Sequence, residues 1–286
     1  MLFAGMHTQL NERGNFMNSK VLFSVLVFAL SIMVYAKEKE KGKMTDVTFK
    51  ANCDGTEQKY VLILPSQFKK QKKYDVLIAL HGHGSDRWQF AKDKRDECRA
   101  ARDTAAENSM IYISPDYRAK TSWMGPKAEA DVLQIIEDIK KQYKTKRIFL
   151  CGGSMGGSSC LTFAAIHPEL IDGVASMNGT ANHVEYNNFQ DAIKASFGGA
   201  KTEIPEEYKK RSAELWPEKF TMPVALAVCG KDTSVPPHSV LRLAEKLKKA
   251  NHKNLLLIYR KDGGHSTNYE DAMKILKFVI KKAPKK

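Results

Sequence analysis

The stretch RIFLCGGSMGGSS (residues 147–159) places four glycines and one serine in six positions, directly after a run of strand formers. Gly152, Gly153, Ser154, Met155 and Gly156 fit the pattern G-x-S-x-G. A helical pattern, SSCLTFAAIHPEL, follows. A sharp strand-to-helix turn puts its central residue in a strained backbone conformation and brings neighbouring chain segments close. Glycines on either side remove the side chains that would clash. The turn lifts the Ser154 hydroxyl above the sheet and leaves the Met155 N–H, at the start of a helix, aimed at whatever that hydroxyl attacks. The competing reading is a glycine-rich phosphate loop. A P-loop would need G-x-x-x-x-G-K-[ST], and no lysine follows here.

The flanking elements set that turn in a larger pattern. Strand-length apolar runs occur at YVLILP (60–65), DVLIALHG (75–82), MIYISP (110–115), RIFLCG (147–152), IDGVASMNG (171–179), PVALAVCG (223–230) and NLLLIYRK (254–261). Several are apolar on both faces, as strands covered on two sides must be. Helix-period segments lie between them, with Val132, Ile135, Ile136, Ile139 and Tyr143 on one stripe and Ile275, Leu276, Val279 and Ile280 on another. DVTFKA and KYVLILP read as antiparallel edge strands. The rest alternates β and α, which predicts an α/β fold with a mostly parallel twisted sheet of about eight strands and helices on both faces. Residues 181–220 break the rhythm and read as a short cap insertion over the strand ends.

A serine in such a turn acts only with a base and an acid, expected in the chain order Ser, Asp or Glu, His. Asp232 follows PVALAVCG, and His265 follows NLLLIYRK in the glycine-flanked loop DGGHST. Both stand at C-terminal strand ends, where a parallel sheet delivers functional groups. His265 is expected to take the proton of Ser154, and Asp232 to hold the imidazole in the right tautomer. Asp262, His238 and His167 are weighed as rivals and read as pointing elsewhere, as surface and as a helix end. ALHGHGSD supplies a glycine loop after an earlier strand, so the N–H of His83 is expected as a second oxyanion donor beside that of Met155. Trp123 and Trp216 are read as candidate substrate contacts, with core packing as the alternative. His81 and His83 form no metal site by this reading, because no acidic third ligand stands nearby. No cofactor is expected.

At 286 residues the chain can bury a full core, and 43% hydrophobic with 27% charged residues is an ordinary globular balance. The net charge of +14 favours anionic partners. Its lysines are spread along helix ends and not interleaved with aromatics, which argues against nucleic acid. Lys20 precedes the uncharged run VLFSVLVFALSIMVYA, read as a signal peptide ending at Ala36. Residues 1–16 read as an extended start and 37–44 as a charged linker before a domain over 45–286. An uncleaved membrane anchor is the alternative. Export, to the periplasm or beyond, permits disulfides, and Cys53 with Cys98 is the pair to test.

These motifs carry a resemblance. HGHG (81–84), PDYR (115–118), GGSMGG (152–157), RSAELWPEKFTMPVALAVCGKDTSVPP (211–237) and GGHS (263–266) resemble the α/β-hydrolase superfamily over nearly all of residues 45–283. The look is that of its prolyl-oligopeptidase-like and feruloyl or acetylxylan esterase branch. The resemblance implies a Ser–Asp–His hydrolase working through an acyl-enzyme. Peptidases of that branch carry an N-terminal β-propeller, and the stretch before the first strand is too short for one. The expectation is therefore an exported serine esterase acting on a small ester or an esterified polysaccharide, with a peptidase of prolyl-oligopeptidase type as the alternative. A non-enzymatic polyanion-binding protein is the third reading. Oligomeric state is not legible.

Overall fold

A computed structural model describes residues 42–286. The expected signal peptide and most of the charged linker lie outside the described residues. Eight strands form one sheet: β1 (Met44–Lys50), β2 (Glu57–Ile63), β3 (Tyr74–Leu80), β4 (Ile111–Pro115), β5 (Thr145–Gly153), β6 (Gly173–Met177), β7 (Val224–Cys229) and β8 (Leu255–Arg260). Their order is β1-β2-β4-β3-β5-β6-β7-β8. β1 pairs antiparallel with β2, and β2 antiparallel with β4. From β4 onward every neighbour is parallel.

The helices are α1 (Trp88–Lys92), α2 (Asp96–Glu107), α3 (Pro126–Gln142), α4 (Met155–Ile166), α5 (Gln190–Phe197), α6 (Pro205–Lys210), α7 (His238–Lys249) and α8 (Tyr269–Lys282). Strand side chains alternate between two cores. On β3, Val76, Ile78 and Leu80 join α3, α4 and α7. Leu77 and Ala79 face the opposite way and join α2 and α8. The central strands are therefore buried on both sides, which is why they read as unbroken apolar runs. Helix α4 is buried from Met155 to Ala165 because it lies under the 181–220 segment.

That segment holds α5 and α6 and is tied down by charge. Arg211 is 1% exposed and pairs with Glu129 at 2.7 Å and Glu207 at 2.5 Å. Glu214 takes Arg242 at 2.8 Å and Asn182 at 3.0 Å. Tyr186 donates its hydroxyl to the carbonyl of Ser234 at 2.7 Å, which fastens the segment to the loop after β7.

The Cys53–Cys98 bridge does not form. All five cysteines are free. Cys98 is fully buried on α2, whereas Cys53 sits in an exposed turn with its thiol 3.2 Å from an Arg118 nitrogen. Cys151 and Cys229 pack as small hydrophobes at strand ends. Burial pushes the thiols of Cys98, Cys151, Cys160 and Cys229 upward, and that of Cys98 to about 12. Titration with an aromatic disulfide is therefore expected to show one fast thiol in the native protein and five after denaturation. Loss of the fast thiol on substituting Cys53 checks the assignment, and three titratable thiols in denaturant would contradict it.

Candidate functional site

The turn after β5 carries the site. Ser154 has φ 58° and ψ −122°, a region that L-residues rarely occupy. Its amide donates to the carbonyl of Met177 at 2.8 Å, and its own carbonyl accepts the Ser158 amide at 3.0 Å. The glycines differ in what they do. A Cβ on Gly156 would lie 2.0 Å from the carbonyl oxygen of Leu80, one on Gly157 2.6 Å from that of Met177, and one on Gly152 2.6 Å from Gly156. These three are steric requirements. A Cβ on Gly153 would meet nothing closer than Glu97 at 3.7 Å, so this glycine leaves open space beside the serine.

Three side chains from three strand ends meet in a line. His265 Nε2 lies 2.8 Å from Ser154 Oγ, and His265 Nδ1 lies 2.6 Å from Asp232 Oδ2. Asp232 is 4% exposed, and its other oxygen accepts the Val235 amide at 2.8 Å. An ionised Asp232 can only accept, so Nδ1 carries the ring proton and Nε2 is left to accept from the Ser154 hydroxyl. The rivals are disposed of by their contacts. Asp262 is exposed and pairs with Lys231 at 2.9 Å. His167 sits 2.8 Å from Glu129, and His238 is exposed at the start of α7.

The two amides expected to face an oxyanion both lack an acceptor among the described residues. Met155 is the first residue of α4, where an N–H has no intrahelical partner. The His83 N–H donates to no acceptor among the described residues. Its loop is braced from behind. The Gly82 amide donates to Gln89 Oε1 at 2.6 Å, and Tyr117 donates to the carbonyl of His81 at 2.5 Å. The buried His81 ring is consumed by structure, with Nδ1 2.8 Å from the Gly82 carbonyl and Nε2 2.9 Å from that of Asp116. Burial lowers the pKa of both His81 and His83. Among the described residues, no group of three His, Cys, Asp or Glu side chains could hold a metal ion.

A cavity of about 570 Å³ opens over Ser154 and His265. Neither tryptophan read as a substrate contact lines it. Trp123 is fully buried behind His83, where its Nε1 donates to His83 Nδ1 at 3.1 Å. Trp216 lies away from the site and donates to the carbonyl of Lys209 at 2.9 Å. The aromatic walls are Phe90 and Phe189 instead. Phe189 is 40% exposed, has φ 55°, and packs on His83 with ring centroids 4.5 Å apart. The 181–220 segment thus supplies one wall of the cavity. Sequence reading missed Phe189, Phe90 and Glu97. Only the aromatic content of the segment hinted at the first of them.

The arrangement can deprotonate a serine and hold the anion that forms on whatever it attacks. Asp232→Asn preserves shape but lets the ring take the wrong tautomer. It is expected to slow acylation of Ser154 by a small activated ester about 10⁴-fold. Stopped-flow release of the ester's phenol would check this, with circular dichroism as the control for folding. A fall of less than tenfold would mean that Asp232 does not orient the ring.

A model of the prolyl oligopeptidase family matches residues 105–283. Acylaminoacyl peptidase of Pyrococcus horikoshii superposes with a TM-score of 0.67 at 17% identity, over 90% of this chain and 44% of that one. A putative dipeptidyl aminopeptidase IV of Bacteroides ovatus gives 0.67 at 17%, over 86% of this chain and 36% of that one. A ferulic acid esterase gives 0.64 at 17%, over 84% of this chain and 98% of that one. The chain therefore spans less than half the length of the two peptidases. These likenesses establish the α/β-hydrolase fold, and the family match assigns the chemistry: the chain belongs to the prolyl oligopeptidase family of serine hydrolases.

Proposed function

We propose that this serine hydrolase cleaves a carboxylic ester through an acyl-enzyme on Ser154. The observation that carries the reading is the single hydrogen-bonded line from Ser154 through His265 to buried Asp232. Ser154 Oγ attacks the ester carbonyl carbon as its proton passes to His265 Nε2. The carbonyl oxygen becomes anionic and accepts the amides of Met155 and His83, each worth about 3 kcal/mol of barrier. Collapse expels the alcohol, which takes the proton back from Nε2. Water then repeats the sequence, with Nε2 as base, and frees the acid and Ser154.

The acyl group is drawn from the cavity. Its volume of about 570 Å³ and its exposed Phe189 face suit an aromatic acid as well as acetate. Asn178, Ser234, Thr267 and Asn268 give the remaining wall a polar character. Likeness to a ferulic acid esterase points the same way. The substrate class proposed is acetyl or feruloyl esters of polysaccharide, met outside the cytoplasm if the apolar N-terminal run acts as an export signal. A second reading, cleavage of peptide bonds, draws on the family match and the peptidase neighbours, since the same groups can expel an amine.

Turnover of p-nitrophenyl acetate, methyl ferulate and a prolyl-peptide anilide by the wild type and by Ser154→Ala separates the two. Ester turnover that exceeds anilide turnover and falls at least 10³-fold in the variant is expected. Faster anilide release would promote the peptidase, and equal rates in both proteins would remove Ser154 from the chemistry.

A further inference from the structure

Glu97 is the second residue of α2 and lies half-buried in the wall of the Ser154 cavity. Its Cγ would touch a Cβ on Gly153 at 3.7 Å, so its side chain borders the backbone just before the nucleophile. The acids around it are all engaged. Asp93 holds Arg95 at 2.7 Å, Asp96 holds Arg99 at 3.0 Å, and Glu107 holds Lys277 at 3.0 Å. Asp103 accepts the Tyr269 hydroxyl at 2.9 Å. Among the described residues Glu97 has no cation within 4.0 Å and accepts no side-chain hydrogen bond; its own backbone N–H is the one donor to its carboxylate, and Arg95 acts on it only through space. Arg95 lines the same cavity but gives both Nε and Nη2 to Asp93.

The ordinary explanation is an acid favouring a helix N-terminus. Asp96 already serves that end from a more open position, and burial pushes the Glu97 carboxyl above its ordinary value. A carboxylate drawn partly out of water needs donors, and a bound substrate can bring them. Arg95 lines the same wall, so a cation entering it would meet a like charge beside Glu97, whereas a neutral hydroxyl would not.

We propose that Glu97 is a specificity residue that accepts a hydrogen bond from a hydroxyl of the substrate, close to the reacting ester in the space left open by Gly153. This rests on the reading of Ser154 as the nucleophile of an ester hydrolase. It makes a polyhydroxylated ester, not a plain alkyl ester, the preferred substrate class.

The test is kcat/KM for propyl acetate, 2-hydroxyethyl acetate and 2-(dimethylammonio)ethyl acetate with wild type, Glu97→Ala and Glu97→Gln. The wild type is expected to prefer the hydroxyl ester over the propyl ester about tenfold or more. Glu97→Ala is expected to bring that ratio close to one, and Glu97→Gln to keep part of it through its amide oxygen. A general structural role would lower both esters together and leave the ratio standing. Should the alanine variant fail to fold, the nearly isosteric glutamine variant still reads the ratio. An unchanged ratio in the variants overturns the proposal. So does a wild type that ranks the ammonium ester first and loses that rank on substitution, which would make the site one for cations. No turnover of any ester, with peptide anilides still cleaved, overturns the ester reading and this proposal with it.

Discussion

The approach of the β5–α4 turn to the end of β3 is the constraint on which the site depends. A Cβ on Gly156 would stand 2.0 Å from the Leu80 carbonyl oxygen, so the helix enters against bare backbone. That contact drives Ser154 to φ 58°, at a cost on the order of 1–2 kcal/mol. Hydrogen bonds offset the cost. Ser154 donates to Met177, Ser176 Oγ donates to the Gly157 carbonyl at 3.0 Å, and Ser158 Oγ accepts the Thr180 amide at 2.8 Å. At about 1 kcal/mol each, two of these suffice to hold the turn. The same approach sets the His83 loop, which begins where β3 ends, beside the Met155 amide.

From this turn the rest of the site follows by sheet order. β6 lies beside β5 and β7 beside β6, so their C-terminal ends present Asn178 and the Asp232 loop on the same rim. β8 pairs with β7 and delivers the His265 loop within 2.6 Å of Asp232. The Cys229 thiol reinforces that loop by donating to the Ser266 carbonyl at 3.4 Å. Parallel pairing thus replaces any single covalent tie, and the base is placed by the core.

The meeting of Ser154, Asp232 and His265 was legible in the sequence because each belongs to a local pattern: an apolar run, then a break rich in glycine or proline, then one reactive side chain. The eight strands were legible for the same reason, as were α3 and α8 from their 3.6-residue stripes. The cavity walls were not. Trp123 and Phe189 are both aromatics outside strands, and only packing against His83 decides that the first is behind the loop and the second in front of it. Glu97 reads in sequence as one acid among several at a helix start. Its significance is that no cation among the described residues pairs with it directly, which depends on where Arg95, Arg99 and Lys277 point. Cys53 and Cys98 fail as a pair because one ends in an exposed turn and the other inside α2, a separation that spacing does not encode.

Covalent labelling tests the central claim most directly. A fluorophosphonate mimics the tetrahedral intermediate and reacts only with a serine whose proton can be removed and whose oxyanion site is formed. Intact protein is expected to take up one equivalent, located on Ser154 by peptide mass spectrometry, and His265→Ala is expected to take up almost none in the same time. Label on another serine, or equal labelling of the folded wild type and the His265 variant, would contradict the assignment of Ser154 and His265 as a working pair.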